Sequence, residues 1–439
     1  MSAASHKNLH WKILTALVLG FIVGLIINSV SSGLDGEAVP AWTGMVTATS
    51  GFIGKLFIQG LKMIVIPLIV SSIILAVMNI GGERNFGRLG IKTLIFYLAS
   101  GFVAVVIGLG VVNMIQPGNV DEAVREQMLA GAGEGDSFME KAEGRSTGDI
   151  IGIFLRMVPT NIVAAATNNE FLALIFFSLI FGYAAGKLPD GLRKTQESFW
   201  EGINKTITMI TNGVIWFAPI GVFGLVVPTI ASTGADLLGN MLKFAATVFL
   251  ALGIHAFFVM PLVLFFVAKE NPVKHFKAML PALLTAFSTA SSSSTLPLTT
   301  DRVQKGAGVS PRISGFTLPL GATVNMDGTA LFECVVVIFL AQLFGVEMSF
   351  ITQFNVVLLA LFTSVGVAGI PSASLVAIVL ILTNVGFSQE MIAQGIGIVF
   401  VVDRILDMSR TAVNVFGDSC AAVVIGKSEG ETGYYPEQN

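Results

Sequence analysis

Asp403-Arg404-Ile405-Leu406-Asp407-Met408-Ser409-Arg410-Thr411-Ala412-Val413-Asn414-Val415-Phe416-Gly417-Asp418 sets three carboxylates and two guanidiniums between two apolar runs, 395–402 and 421–425. A helix in lipid has no water for its side chains, so each ionised group there is costly unless paired or solvated. The stretch and its flanks are about the length of one membrane span. At roughly 100° per residue, Asp403, Arg404, Asp407, Arg410, Thr411, Asn414 and Asp418 fall within about 60° of one helical direction. The stretch reads as a helix with a single polar stripe facing a polar cavity. Groups kept at that cost are kept mainly where they bind something.

Outward from this helix, composition fixes the class. Of 439 residues, 54% are hydrophobic and 12% charged, and the mean hydropathy is +0.80. Apolar runs of spanning length recur along the whole chain, which makes it an all-α polytopic membrane protein. The net charge of −3 comes without a basic patch, so nucleic acid is not an expected partner. Cys334 and Cys420 lie far apart in apolar segments and read as buried free thiols rather than a disulfide. The four histidines have no zinc-type spacing. His6, Lys7, His10 and Lys12 precede an apolar run, 13–30, too long for a signal-peptide core, so it reads as a retained first span.

Spans are expected at 12–31, 51–79, 90–115, 150–186, 195–230 and 237–268, with loops that alternate in sign. Arg84, Arg88 and Lys92 make one basic loop, and Lys187, Arg193 and Lys194 another. The acidic insertion 117–149 lies between them and reads as a flexible extracellular loop. The positive-inside tendency puts the N-terminus and both basic loops in the cytoplasm.

The later chain is interrupted. Lys269, Lys274 and Lys277 precede segment 279–300, and Arg302, Lys305 and Arg312 follow it, so both of its ends read as cytoplasmic. Its middle, Ser288-Thr-Ala-Ser-Ser-Ser-Ser-Thr-Leu-Pro297, suits a re-entrant turn whose hydroxyls satisfy freed backbone groups. Gly366, Gly369 and Pro371 break a second segment at 364–374, between apolar arms 351–363 and 375–384. Between the two, 315–343 is broken by Thr323-Val-Asn-Met-Asp-Gly-Thr329. Three broken helices and one polar-striped helix are the pattern of a secondary-transporter site near the bilayer midplane.

Four ordered motifs carry a more specific likeness. Ser291-Ser-Ser-Ser-Thr-Leu-Pro297, Asn325-Met-Asp-Gly-Thr329, the 366–371 tip and Leu406-Asp-Met-Ser-Arg-Thr through Asn414 and Gly417-Asp418 resemble the dicarboxylate/amino acid:cation symporter (glutamate/aspartate transporter) family. Leu61-Lys-Met-Ile-Val-Ile-Pro-Leu-Ile-Val70 extends the resemblance over nearly the whole chain. It implies eight transmembrane helices plus two re-entrant hairpins, inverted repeats and an elevator mechanism in a homotrimer. The scaffold would be 1–80 and 150–235. The transport domain would be 81–116 and 236–426, with 117–149 an extracellular loop and 427–439 a cytoplasmic tail. The implied activity is uptake of aspartate or glutamate across the cell membrane, driven by sodium, with a proton as the candidate second coupling ion. A neutral amino acid or C4-dicarboxylate symporter is the alternative. No cofactor is expected; Na⁺ is the coupling ion, and both termini would be cytoplasmic.

The residues themselves suit these roles. Asp407 is an anion fit for an ammonium group, and the planar fork of Arg410 one turn on matches a carboxylate. The resemblance gives Arg410 the side-chain carboxylate, assisted by Thr329, and gives Asn414, Thr411 and the Ser292 region the main-chain carboxylate. Carbonyls near Ala290 and Ile370 would complete the ammonium site. Oxygen-only ligands suit a hard cation. The resemblance implies one sodium site from Asp418, Asn414, Asn325 and the Gly321 carbonyl. A second would use Asp327, Asn325, Tyr97 and Ser100, and a third the carbonyls of Thr323, Ser364, Val365 and Val367. The plainer alternatives are an Asp407–Arg410 pair that only braces the bundle, and Asp327 as a helix cap.

This chain departs from the family pattern in places. Family members often carry an arginine at the place of Ala290 or Met408, and here there is neither. Arg404, three residues before Asp407, is the expected compensating charge. Gly101 stands where a hydroxyl ligand is common. Glu333, six residues after Asp327 on an apolar helix, is the candidate proton carrier, against the alternative of a neutral, hydrogen-bonded acid. Potassium countertransport has less support, because Phe332 stands where animal members often have tyrosine.

Two other classes fare poorly. An intramembrane aspartyl protease would need Gly-x-Gly-Asp, and Val415 occupies the first glycine position. A Ser–His–Asp set fails because no histidine follows His275. An ion channel alone has no need of Asp407 beside Arg410. An enzyme is therefore not expected.

Overall fold

A computed structural model of the chain describes residues 9–31, 40–81, 87–122, 158–168, 170–233, 238–364 and 374–435. Every regular element among them is a helix. The first seven are α1 Leu9–Ser31, α2 Ala41–Gly81, α3 Gly87–Ile115, α4 Ile162–Thr167, α5 Phe171–Gly186, α6 Asp190–Trp216 and α7 Ala218–Thr233. Next comes α8, Leu238–Ile254, extended by two π-helical turns, His255–Val259 and Leu264–Ala268. The last seven are α9 Pro272–Thr289, α10 Ser292–Asp301, α11 Pro311–Val324, α12 Asp327–Leu343, α13 Phe350–Ser364, α14 Ser374–Val385 and α15 Gln389–Ser428. Most of the acidic insertion, the tip 365–373 and the first residues of the expected 150–186 span lie outside the described residues.

Four described stretches are long and apolar enough to cross a membrane: Ala41–Leu75, Arg88–Ile115, Gly239–Ala268 and Pro311–Leu343. The expected single span 195–230 is instead a pair, α6 and α7, bent by 51°. The break falls at Phe217-Ala218-Pro219. A proline there gives up its N–H and crowds the preceding turn, so one straight helix is not possible. The expected span 51–79 is longer than its apolar run suggests, because α2 starts at Ala41.

Helices α1, α2, α5, α6 and α7 pack largely on one another, while α12 sits among α3, α8, α13 and α15. Close approach in the first group depends on small residues: a Cβ on Gly224 would lie 2.7 Å from both the Gly54 nitrogen and the Ser50 oxygen. Lipid offers helices no apolar advantage over one another, so backbone proximity of this kind is what holds them. In α12 every residue but Gln342 is buried. A helix that is apolar on all sides is a protein-enclosed one.

The serine segment doubles back. Helix α9 ends at Ala290 in the left-handed region (φ 48°), and Ser291 caps α10 by accepting from the Ser294 N–H. Beyond α10, Gly306 returns to Ala278 of α9, 3.2 Å from a Cβ placed on the glycine to the alanine Cβ. Helices α13 and α14 return likewise, with Asn355 Nδ2 donating to Asn384 Oδ1 at 3.0 Å. The third interruption narrows to Asn325–Met326, between α11 and α12.

Candidate functional site

Helix α15 lies against α9, α11, α12 and α8, so its polar stripe faces the breaks in the other helices. At the stripe's N-terminal end, four charges meet. Arg410 Nη2 donates to Asp407 Oδ1 at 2.8 Å and to Asp403 Oδ1 at 3.2 Å. Arg404 Nη2 donates to the other oxygen of Asp407 at 2.5 Å. The Arg410 guanidinium lies over the Phe332 ring, 3.7 Å from its centroid, a favourable cation–π position. Its Nε and Nη1 are buried without a partner. An unpaired buried donor is expensive. Nε and Nη1 lie on different edges of the guanidinium, each sharing an edge with the Nη2 that Asp403 and Asp407 hold, so a carboxylate that takes Nη2 from them gains a two-donor grip.

The internal Asp407–Arg410 pair considered from sequence is therefore present, but it leaves part of the guanidinium unused. Thr411 donates to the Asp407 backbone oxygen at 2.8 Å. Thr329, expected to assist Arg410, accepts from Asn414 Nδ2 at 3.0 Å. Asn414 Oδ1 in turn accepts from the Gly328 and Thr329 N–H groups at 2.8 and 3.4 Å. These are orphan donors of the first turn of α12, so Asn414 caps that helix from another element. Ser292, the first residue of α10, is buried at the serine turn. Ile370 lies outside the described residues.

One turn further along α15 the site is built of oxygen. Asp418 Oδ1 accepts from Asn325 Nδ2 at 3.0 Å. Gly321 makes room for it: a Cβ there would stand 2.4 Å from Asp418 Oδ1 and 2.8 Å from the Tyr97 hydroxyl. Tyr97 donates to the Thr317 carbonyl at 2.8 Å. Asp327 Oδ2 accepts from Ser100 and meets His255 Nε2 at 3.0 Å. The carboxylate thus looks away from its own helix start, and capping of α12 falls to Asn414. Asn325 Oδ1 and Asp327 Oδ1 are buried with no partner. Orphaned oxygens of this kind fit a hard cation. Ser364 is buried, its hydroxyl on the Leu361 carbonyl, whereas the Thr323 side chain is exposed and bonded to the Leu320 carbonyl. Val365 and Val367 lie outside the described residues.

Glu333 is fully buried on α12. Thr363 donates to its Oε2 at 3.0 Å, and its Oε1 has no partner. Cys334 and Cys420 are buried and free. No group of three His, Cys, Asp or Glu side chains among the described residues converges as a transition-metal site would require.

Sequence reasoning missed His255, Phe332 beneath Arg410, and Asp403 as a partner of Arg410. Asp403 was visible on the stripe without a role. A histidine in an otherwise apolar run, 244–268, was the available signal for His255.

The family model described as the sodium:dicarboxylate symporter family matches residues 9–428. A "Proton/glutamate-aspartate symporter" of Escherichia coli is 34% identical over 96% of this chain and 93% of its own length. A "Proton/sodium-glutamate symport protein" of Bacillus caldotenax is 33% identical over 96% of this chain and 95% of its own. "Excitatory amino acid transporter 1" of Ambystoma tigrinum is 30% identical over 92% and 82%.

Proposed function

The chain belongs to the sodium:dicarboxylate symporter family, and from that premise we propose that it is a multi-pass membrane symporter taking up aspartate or glutamate with sodium. One observation carries the choice of an acidic amino acid. Arg410 is buried with two unpartnered donors, and Asp407 stands beside it. The substrate ammonium draws Asp407 away from Nη2, which then joins one of the two free donors in receiving the side-chain carboxylate bidentately. Arg404 is the compensating charge: it holds Asp407 until the substrate ammonium takes its place. Thr411, Asn414 and the Ser292 turn take the main-chain carboxylate, with the carbonyls near Ala290 and Ile370 completing the ammonium site.

Sodium is the driving ion of this reading. Asp418, Asn414, Asn325 and the Gly321 carbonyl make one cation site, and Asp327, Asn325, Tyr97 and Ser100 a second. Carbonyls of Thr323, Ser364, Val365 and Val367 make a third. The orphaned oxygens of Asn325 and Asp327 support the first two. Glu333 is the proton carrier, buried on the helix that also bears Asp327 and Thr329 and accepting from the Thr363 hydroxyl.

The architecture is eight membrane helices with two re-entrant hairpins, α9–α10 and α13–α14. Segments 81–116 and 236–426 slide as a transport domain against a scaffold of 1–80 and 150–235, in a homotrimer with cytoplasmic termini. Proteoliposomes with imposed gradients test the activity. Radiolabelled aspartate should concentrate under an inward Na⁺ gradient, and excess serine or succinate should not displace it. Displacement by either, or no accumulation, overturns the reading.

A further inference from the structure

A buried histidine on the far side of α15 has no part in the site so far. His275, on α9, is fully buried, and its Nε2 lies 2.9 Å from the Ser419 hydroxyl. Ser419 donates its own proton to the Phe416 carbonyl at 2.7 Å. His275 is therefore the donor, through Nε2–H, and the bond fixes its tautomer. Ser419 follows Asp418 directly. The His275 ring also lies 5.7 Å from the Phe416 ring and 5.9 Å, edge on, from Tyr435.

Tyr435 is held by a strap of chain beyond α15. Its N–H donates to the Ala307 carbonyl at 3.0 Å, and the Glu431 N–H to the Gly426 carbonyl at 3.0 Å. The Glu431 carboxylate accepts from the N–H and hydroxyl of Ser310. Lys427 donates to Glu270 Oε1 at 2.8 Å. Glu429 meets Lys92 at 2.5 Å and Arg88 at 3.3 Å. The strap thus grips the foot of the serine hairpin after α10, at Ala307 and Ser310, and closes over His275, while Lys427 at the end of α15 holds the other foot at Glu270.

We propose that His275, backed by the 429–435 strap, is a positioning residue for the cation end of the site. Asn325, at the break between α11 and α12, holds Asp418 from one side of α15, where Gly321 leaves the carboxylate room. His275 holds the neighbouring Ser419 from another, and the Phe416 and Tyr435 rings pin the helix against rotation. Ligand oxygens must be fixed to a fraction of an ångström for a cation to be bound well. Loss of the brace therefore lowers cation affinity without removing a ligand. This rests on the reading of Asp418 as a sodium ligand.

The test uses the full-length protein, purified and reconstituted. His275→Phe keeps the ring and removes the hydrogen bond, and Tyr435→Ala removes only the strap's ring. For His275→Phe the sodium half-saturation should rise about fivefold, the worth of one buried hydrogen bond, and for Tyr435→Ala it should rise by less. The same shift should appear as Na⁺-dependent thermal stabilisation in detergent, a readout independent of transport. At saturating Na⁺, the aspartate KM should be unchanged. If both variants lose thermal stability but keep the wild-type Na⁺ dependence, His275 is a packing residue only and the proposal is overturned. Should His275→Phe fail to fold, an unchanged Na⁺ dependence in Tyr435→Ala overturns it equally. Asp418→Asn serves as the reference. If it leaves Na⁺ dependence untouched, the sodium-site reading falls and this proposal with it; if it shifts and the brace variants do not, only the brace falls.

Discussion

The two ends of the polar stripe on α15 are built on opposite principles. At the N-terminal end, Arg404 and Arg410 face Asp403 and Asp407, two charges against two, all within hydrogen-bonding distance. At the C-terminal end, Asp327 and Asp418 stand among amides, hydroxyls and the His255 imidazole, with Asn325 Oδ1 and Asp327 Oδ1 unpartnered. The first end is balanced when empty and can trade one partner for another at small electrostatic cost. The second has an excess of acceptors and is suited to added positive charge. A zwitterion suits the first and a cation the second. In the proposed reading, coupling follows from their sharing one helix, with Asn414 between them capping α12.

The contrast can be broken at either end. The largest effect is expected from Arg410→Ala, which strands Asp403 and Asp407 and removes the carboxylate seat. Aspartate uptake should fall about a hundredfold or more. Near-normal aspartate uptake in this variant would remove the distinction between the two ends. Asp418→Asn should act on the other end alone, raising the sodium half-saturation about tenfold while the aspartate KM at saturating Na⁺ stays put. A change confined to the aspartate KM would reverse the assignment.

Glu333→Gln sharpens the comparison, since Glu333 belongs to neither end. Its uptake should lose the wild-type dependence on external pH; retention of that dependence would rule out the carrier role. Arg404→Ala should be milder, because Arg404 is the more exposed guanidinium, at 16% against 1% for Arg410. A rise of about three- to fivefold in aspartate KM is expected, and unchanged uptake would leave Arg404 without a role.

The smallest effect concerns the strap. The hydrogen bond from Lys92, with the charges of Lys92, Arg88 and Arg312, holds the Glu429 carboxyl below its ordinary value. A depressed carboxyl stabilises the fold above its ordinary value and loses that contribution as pH falls through the depressed one. Hydrogen–deuterium exchange over 429–435 should therefore stay slow at neutral pH and rise only below the ordinary glutamate range, near pH ~4. Faster exchange already between pH 6 and 8 would show that Glu429 is not what holds the strap.

Much of this was legible in the chain before any coordinates. Apolar runs gave the class, since period and length are local properties. The serine turn and the break at Asn325–Met326 announced themselves by polar residues where lipid tolerates none. The stripe on α15 followed from angular arithmetic alone. The bend at Phe217 was missed because an apolar run conceals a break when only one proline marks it.

What the sequence determined by itself is therefore which residues share a face and which helices must be interrupted; both depend on neighbours three or four positions away. Only the tertiary structure decided who meets whom across the bundle. It brought His255 to Asp327, Phe332 beneath Arg410, Asn414 to the open start of α12, and His275 to Ser419. Contacts between residues on separate helices are set by how those helices pack. No local period carries that information, because a side chain's direction is fixed by its own helix while its partner is fixed by another.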